Sequence, residues 1–201
     1  MAQVLQAERL LEFARDRGLV RPRDVARLRI RRTTLKRLVD DGRLIRRSRG
    51  VYTVPEHEPT ENTDLAAVTK RAPKAIVCLI SALRFHELTT QIPAEIWIMI
   101  DRTAWRPQID HPPVRVIRAS GTALSEGVEV HRIEGALVRV TRPAKTVTDC
   151  FKYRSKVGTD VALEALRDCW RQRKATMDEI LRYARIDRVA NVMRPYLESL
   201  V

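Results

Sequence analysis

Residues 29–52 read RIRRTTLKRLVDDGRLIRRSRGVY, and this stretch decides the fold of the N-terminal part of the chain. Leu35, Leu38 and Val39 are spaced three and four apart, which predicts a helix with one apolar face. Gly42 follows at the position where a left-handed cap commonly ends a helix. The stretch therefore predicts a short amphipathic helix with a basic outer face.

The residues after this helix predict a two-stranded hairpin. Two short apolar runs, 44–45 and 51–54, flank the basic segment 46–50, which reads RRSRG. Upstream, 4–17 and 20–28 show helical periodicity. Three helices followed by a hairpin are typical of a winged helix-turn-helix, and we predict this domain over residues 1–56.

A helix with a polar, basic outer face beside a basic hairpin suits a DNA groove and its phosphates. At about 100° per residue, Thr33 and Arg37 lie opposite the apolar face. Arginine can donate two hydrogen bonds to a guanine edge, and threonine can contact a base or a phosphate. The candidate DNA-binding residues are Arg31, Arg32, Thr33, Thr34, Lys36 and Arg37 on the helix, and Arg46, Arg47 and Arg49 on the hairpin.

Positive charge is concentrated in the same segment. The 201-residue chain has a formal net charge of +13, and residues 1–54 hold 15 Lys and Arg against 6 Asp and Glu. A solvated basic surface is the simplest alternative explanation for such an excess. Because the charge coincides with the helix-turn-helix pattern, we favour nucleic-acid binding.

The cysteines and the apolar segments indicate in which cellular compartment the protein is expected. Cys78, Cys150 and Cys169 are widely separated, with neither a disulfide framework nor zinc-ligand spacing. We expect three buried thiols in a reducing cytoplasm. The longest apolar run, 75–83, is too short to cross a bilayer, and the N-terminus shows no export signal. We therefore expect no contact with membranes.

A polar segment with two prolines, 55–62, predicts a linker, and residues 63–201 predict an α+β domain with a small mixed sheet and a helical C-terminal end. A helix is expected to begin near Ser81, with Ser81 as its cap. Pro195 is expected to kink or end the last helix. The predicted strands are 95–101, 114–118, 128–133 and 137–141; the predicted helices include 64–71, one opening at Pro143, 159–173, one capped by Thr176 and one near 189–197.

A second basic stretch, 132–156, lies in this domain. A solvated helix face is the simpler interpretation. The alternative is a second surface for flanking DNA, RNA or an acidic partner, formed by Arg142, Lys145, Lys152, Arg154 and Lys156.

Several short motifs follow one another along the chain in a recognisable order. They are the Arg-rich helix with Gly50-Val51-Tyr52, Ser81-Ala82-Leu83 with His86, Leu88-Thr89, Ile92-Pro93, Pro112-Pro113-Val114-Arg115, Pro143-Ala144-Lys145-Thr146, Asp149-Cys150-Phe151 and the tail 188–197. In these motifs the chain resembles the AbiEi antitoxins of type IV toxin–antitoxin systems. One departure is Glu87, where the family pattern has glycine after the histidine.

This resemblance implies two functions. The N-terminal domain is expected to bind inverted repeats in double-stranded promoter DNA and repress its own operon. The C-terminal domain is expected to counter a cognate AbiEii-type nucleotidyltransferase toxin, without a stable complex. No catalytic site, metal site or cofactor is expected, because the sequence contains neither metal-ligand spacing nor a phosphate-binding glycine loop.

Three alternatives remain open at this point. The chain could be a DNA-binding regulator without an antitoxin role. A metal-dependent nuclease needs clustered carboxylates, for which Asp101, Glu126 and Glu129 are the nearest candidates. RNA binding is a third possibility, although residues 1–54 contain only Phe13 and Tyr52 as aromatic residues for stacking.

Overall fold

A computed structural model of the chain describes residues 2–55 and 62–200. Its N-terminal part consists of three helices and a hairpin, in the order expected from the sequence. Gly18 and Gly42, after the first and third helices, have φ of 68° and 69°, the left-handed conformation that glycine adopts without strain. The elements are α1 (Ala2–Arg17), α2 (Pro22–Arg27), α3 (Arg32–Asp40), β1 (Ile45–Ser48) and β2 (Val51–Thr53).

A compact apolar core holds these elements together. Leu10 of α1, Val25 of α2 and Leu38 of α3 are buried against one another. Val20 exchanges two backbone hydrogen bonds of 2.8 and 2.9 Å with Tyr52, which adds a one-residue bridge beside the β1–β2 hairpin. The hairpin is thereby fixed to the segment between α1 and α2.

The remainder of the described chain is an α+β unit built on a mixed five-stranded sheet of order β5-β4-β3-β7-β6. β3 is antiparallel to β4 and parallel to β7, and the outer pairs are β4–β5, parallel, and β6–β7, antiparallel. The elements are α4 (Thr63–Arg71), β3 (Ile76–Val77), α5 (Leu79–Phe85), β4 (Ile96–Asp101), β5 (Val114–Ala119), α6 (Thr122–Ser125), β6 (Val128–Ile133), β7 (Ala136–Thr141), α7 (Pro143–Lys152), α8 (Arg154–Val157), α9 (Thr159–Arg171), α10 (Met177–Ile186) and α11 (Ala190–Glu198).

The helix α7 is the centre of the C-terminal part. Every residue from 144 to 151 is buried, and α5, α9 and α10 pack around this helix. Residues of β3 alternate between two cores, because successive side chains of a strand point to opposite faces. Ile76 packs with the C-terminal helices, whereas Val77 packs with α4.

The N-terminal part packs directly on the C-terminal part. Leu19 and Val51 share a buried cluster with Leu65 and Val138. The Lys70 ammonium group donates hydrogen bonds to the carbonyl oxygen of Leu19 at 2.8 Å and to that of Glu134 at 3.0 Å. The division into domains 1–56 and 63–201 remains a prediction, and most of the predicted linker 55–62 lies outside the described residues.

Three local expectations need correction or explanation. The helix expected from Ser81 begins two residues earlier, and the Ser81 hydroxyl instead accepts a hydrogen bond of 2.9 Å from the Trp97 amide. Pro195 does not end α11, which continues to Glu198. Glu87 has φ of 57°, so the residue stands in a left-handed position that explains the expectation of glycine there.

Candidate nucleic-acid interface

The outer face of α3 is basic and exposed, as the helical periodicity predicted. Leu35 and Leu38 are buried beneath the helix. The exposed candidates on and before the helix are Arg31, Arg32, Thr33, Lys36 and Arg37.

Thr34 does not belong to this exposed face. Its side chain is 5% exposed, and its hydroxyl lies 3.5 Å from the Gln6 side-chain oxygen, which also accepts from the Arg31 amide. Thr34 therefore connects α3 to α1, and the expectation that this side chain enters a groove is wrong. The physical reason is that α1 packs on the side of α3 where Thr34 lies, whereas Lys36, on the other side of Leu35, stays exposed.

The hairpin carries the second group of cations. Ile45 pairs with Thr53 and Arg46 with Tyr52 in an antiparallel register, and a bulge follows before Ser48. Gly50, at φ of 75°, closes the turn. Arg46, Arg47 and Arg49 are all exposed.

Several of these cations lack an anionic partner within the protein. Among residues 2–55 and 62–200, no carboxylate forms an ion pair with Arg32, Lys36, Arg37, Arg47 or Arg49. These side chains can bind a phosphate or a base edge without first breaking an ion pair within the protein.

Residues 8–55 match the family model described as "Transcriptional regulator, AbiEi antitoxin". The resemblance to AbiEi antitoxins is confirmed in this segment. The matched residues contain most of α1, all of α2 and α3, and the hairpin. No curated protein matches the chain.

Only four of the five cations predicted to form a second basic surface reach the surface. Arg142, Arg154 and Lys156 are exposed, and Lys152 is half-buried. Lys145 is completely buried and cannot belong to a surface. It lies on the buried face of α7, where the sequence alone suggested a solvated helix.

Lys145 is the centre of a buried ionic network. Its ammonium group donates to Asp149 Oδ1 at 2.5 Å and to the two Asp187 oxygens at 3.2 and 3.1 Å. The Thr148 hydroxyl and the Lys152 ammonium group also donate to Asp187, at 2.8 and 3.3 Å. Because Asp187 caps α10, the network fastens α7 to α10.

The two buried carboxylates share one buried ammonium group. Burial alone lowers the pKa of Lys145, but the charges of Asp149 and Asp187 outweigh it and raise that pKa above its ordinary value. Burial, opposed by the Lys145 charge and reinforced by that of Asp187, raises the pKa of Asp149 to about 7. Asp149 Oδ2 is buried without a hydrogen-bond partner in the described part of the chain. Asp149 is thus protonated at a higher pH than an ordinary aspartate.

We expect Asp149→Asn to reduce the pH dependence of stability. The folded-state pKa of about 7 exceeds the unfolded value of about 3.9, so the contribution of Asp149 to stability is fully present below about pH 4 and is lost as pH rises through 7. From pH 6 to 8 the wild type should lose about 1 kcal/mol relative to Asp149→Asn. Urea unfolding at pH 6, 7 and 8 measures this difference; two parallel stability curves would contradict the assignment.

The described residues contain no group of three or more His, Cys, Asp and Glu side chains arranged to hold a metal ion. The three nuclease candidates have separate structural contacts: Asp101 accepts from Thr103, Glu126 pairs with Arg182 at 2.8 Å, and Glu129 contacts His131 at 2.8 Å. They do not form one carboxylate cluster.

The other residues singled out in the sequence occupy structural positions. His86 is buried, with its Nε2 atom 2.7 Å from the Thr141 carbonyl oxygen, and burial lowers the pKa of this imidazole. Cys78, Cys150 and Cys169 are buried free thiols, as expected, and burial raises the pKa of each. In the described residues, no helix has the length and apolar character needed to cross a membrane.

Proposed function

We propose that the protein is an autorepressing antitoxin that binds promoter DNA through its N-terminal winged helix-turn-helix. One observation carries the proposal: the family match covers 8–55, and in this segment Arg32, Lys36, Arg37, Arg47 and Arg49 are exposed and form no ion pair with any other described residue. Inverted repeats in double-stranded DNA upstream of its own operon are the expected site.

The proposed DNA contacts follow from the positions of the side chains. The helix α3 enters the major groove, where Thr33, Lys36 and Arg37 face base edges. Arg31 and Arg32, at the start of α3, pair with phosphates. Arg46, Arg47 and Arg49 of the hairpin contact the backbone or the adjacent minor groove.

The C-terminal part is proposed to counter a cognate nucleotidyltransferase toxin of the AbiEii type in the cytoplasm, as part of phage defence. No cofactor is assigned to either function. Arg142, Lys152, Arg154 and Lys156 are the remaining candidates for a second basic surface toward DNA or an acidic partner.

A transcriptional regulator without an antitoxin role is the second candidate. It is favoured by the position of the family match, which ends at residue 55 and does not extend into the C-terminal part.

Repression and toxin protection can be separated with Arg37→Ala. The variant removes a bidentate donor, so we expect repression of a reporter under the native promoter to weaken as operator binding loses about 1–3 kcal/mol. Protection against the neighbouring toxin should persist when the variant is supplied from a foreign promoter. Arg167→Ala, an exposed change on α9, is the control.

The result distinguishes the candidates. A wild-type chain that represses but gives no protection is the regulator alone. A wild-type chain without effect on the reporter contradicts the repressor proposal.

A further inference from the structure

A cleft lies between the N-terminal helices and the β6–β7 edge of the sheet. Its volume is about 760 Å³, within the range of roughly 300–1,000 Å³ that is usual for small-molecule sites. Residues of α1, α2, α4, β6 and β7 line it. None of its lining residues belongs to α3 or the β1–β2 hairpin, so this cleft is separate from the proposed DNA interface.

Five cations line the cleft against one carboxylate. Arg17, Arg23, Arg27, Lys70 and Arg139 are the cations, and Asp24 is the carboxylate. The Asp24 carboxylate accepts a hydrogen bond of 3.0 Å from the Arg21 amide at the start of α2. Arg17 is paired with Asp16 at 3.2 Å, and the Glu134 carboxylate also acts on Lys70, so the positive charge of the cleft comes chiefly from Arg23, Arg27 and Arg139.

Arg23 and Arg27 are the most available of these cations. They are four residues apart on α2, so their side chains lie on neighbouring turns of the same face. Both are exposed, and in the described residues neither forms an ion pair. An anion between them would relieve the repulsion of the two like charges.

Lys70 also lines the cleft and is 8% exposed. The two carbonyl oxygens of Leu19 and Glu134 account for two of the three N–H donors of its ammonium group. Burial, the largest influence, lowers the pKa of Lys70 to about 8. A bound anion would favour the protonated form.

One wall of the cleft is apolar and open to solvent. Leu137 and Arg139 point to the same face of β7, and the register places Val130 of β6 opposite Arg139. Val130 and Leu137 are 58% and 59% exposed, although both stand on strands. With Phe13 and Leu28 they give the cleft an apolar surface beside its cations.

We propose that this cleft binds a free nucleotide, whose phosphates contact Arg23, Arg27 and Lys70 and whose base packs on the apolar wall. The combination of clustered cations and an exposed apolar wall matches a ligand that is anionic at one end and aromatic at the other. Because the cleft is bounded by both parts of the chain, the nucleotide contacts the helix preceding α3 and the sheet at once.

The test is a fluorescence titration of the full chain with N-methylanthraniloyl-ATP at moderate salt. Arg23→Glu with Arg27→Glu should weaken binding on the order of tenfold or more, because two charge-assisted contacts become repulsive. The matched control is Arg167→Glu with Arg171→Glu on α9, which has the same spacing and charge change and should leave affinity within about twofold. Leu137→Asp, at an exposed position, tests the apolar wall and should also weaken binding.

Competition identifies the ligand. Unlabelled ATP should displace the probe at lower concentration than inorganic pyrophosphate or a short DNA duplex. Equal displacement by pyrophosphate overturns the assignment of a base site. Displacement by the duplex as efficient as by ATP, equal losses in the cleft and control variants, or no binding of the probe overturns the nucleotide site. None of these outcomes depends on promoter binding.

Discussion

Lys145→Ala is expected to lower the free energy of unfolding by about 3–5 kcal/mol, the range observed when one partner of a buried ion pair is removed. Lys145 is completely buried, and its ammonium group is 2.5 Å from Asp149 Oδ1 and 3.1 Å from Asp187 Oδ2. The substitution leaves two carboxylates without their shared buried cation. A loss of this size is a large fraction of the stability of an ordinary domain, which is about 5–15 kcal/mol.

Urea unfolding with Lys156→Ala as the control measures this effect. Lys156 is an exposed lysine on α8, and its removal should change stability by no more than about 0.5 kcal/mol. Adding Asp149→Asn to Lys145→Ala should restore part of the loss above neutral pH, where Asp149 would otherwise be an uncompensated carboxylate. Equal stability of Lys145→Ala and Lys156→Ala would show that the network contributes nothing.

Arg47→Ala with Arg49→Ala should reduce both DNA affinity and its salt dependence. Each phosphate contact on duplex DNA contributes about 0.9 to the slope of log affinity against log salt, so the double variant should lower the slope by about 2. Taken over one decade of salt, from about 1 M down to about 0.1 M, this slope change corresponds to a loss of affinity on the order of 60-fold. Arg46 is left unchanged because it also makes contacts within the protein.

The matched control is Arg167→Ala with Arg171→Ala, which removes the same charge from α9. A general electrostatic attraction would make the two double variants equally weak, whereas phosphate contacts by the hairpin weaken only the first. Binding titrations at four or five salt concentrations provide both the slope and the affinity. Identical slopes for the hairpin variant and the wild type would contradict the proposed contacts.

The N-terminal part was predictable because its signals are local. The apolar spacing of α3 and the glycine at its end lie within one short stretch, and both predictions are confirmed by the structure. Thr34 was misassigned because the angle of a residue around the helix does not reveal the side chain of α1 that covers it. Gln6, 28 residues away, provides that contact.

The positions of the four longer strands of the C-terminal sheet could be predicted from the sequence, but the order of the strands in the sheet could not. Its central strand β3 contains only Ile76 and Val77, too few residues for a periodic signal. Lys145 shows the same limit. Its partner Asp149, four residues along α7, is readable from helical spacing, but Asp187 is 42 residues away and nothing local connects them.

The nucleotide cleft could not be predicted from the sequence. Arg23 and Arg27 lie more than 100 residues from Arg139, and only the packing of the N-terminal part against β7 brings them to one cavity. The exposure of Val130 and Leu137 could not be predicted either, because an alternating strand pattern normally indicates that the apolar residues form a buried face.

The measurement that tests the central claim most directly is the affinity of the wild-type chain for the DNA upstream of its own operon, compared with random-sequence DNA of equal length. Titrations at several salt concentrations separate specific recognition from charge. We predict a preference for the upstream fragment on the order of 10³-fold near physiological salt. Equal affinity for both fragments, with the same salt slope, would contradict the repressor proposal.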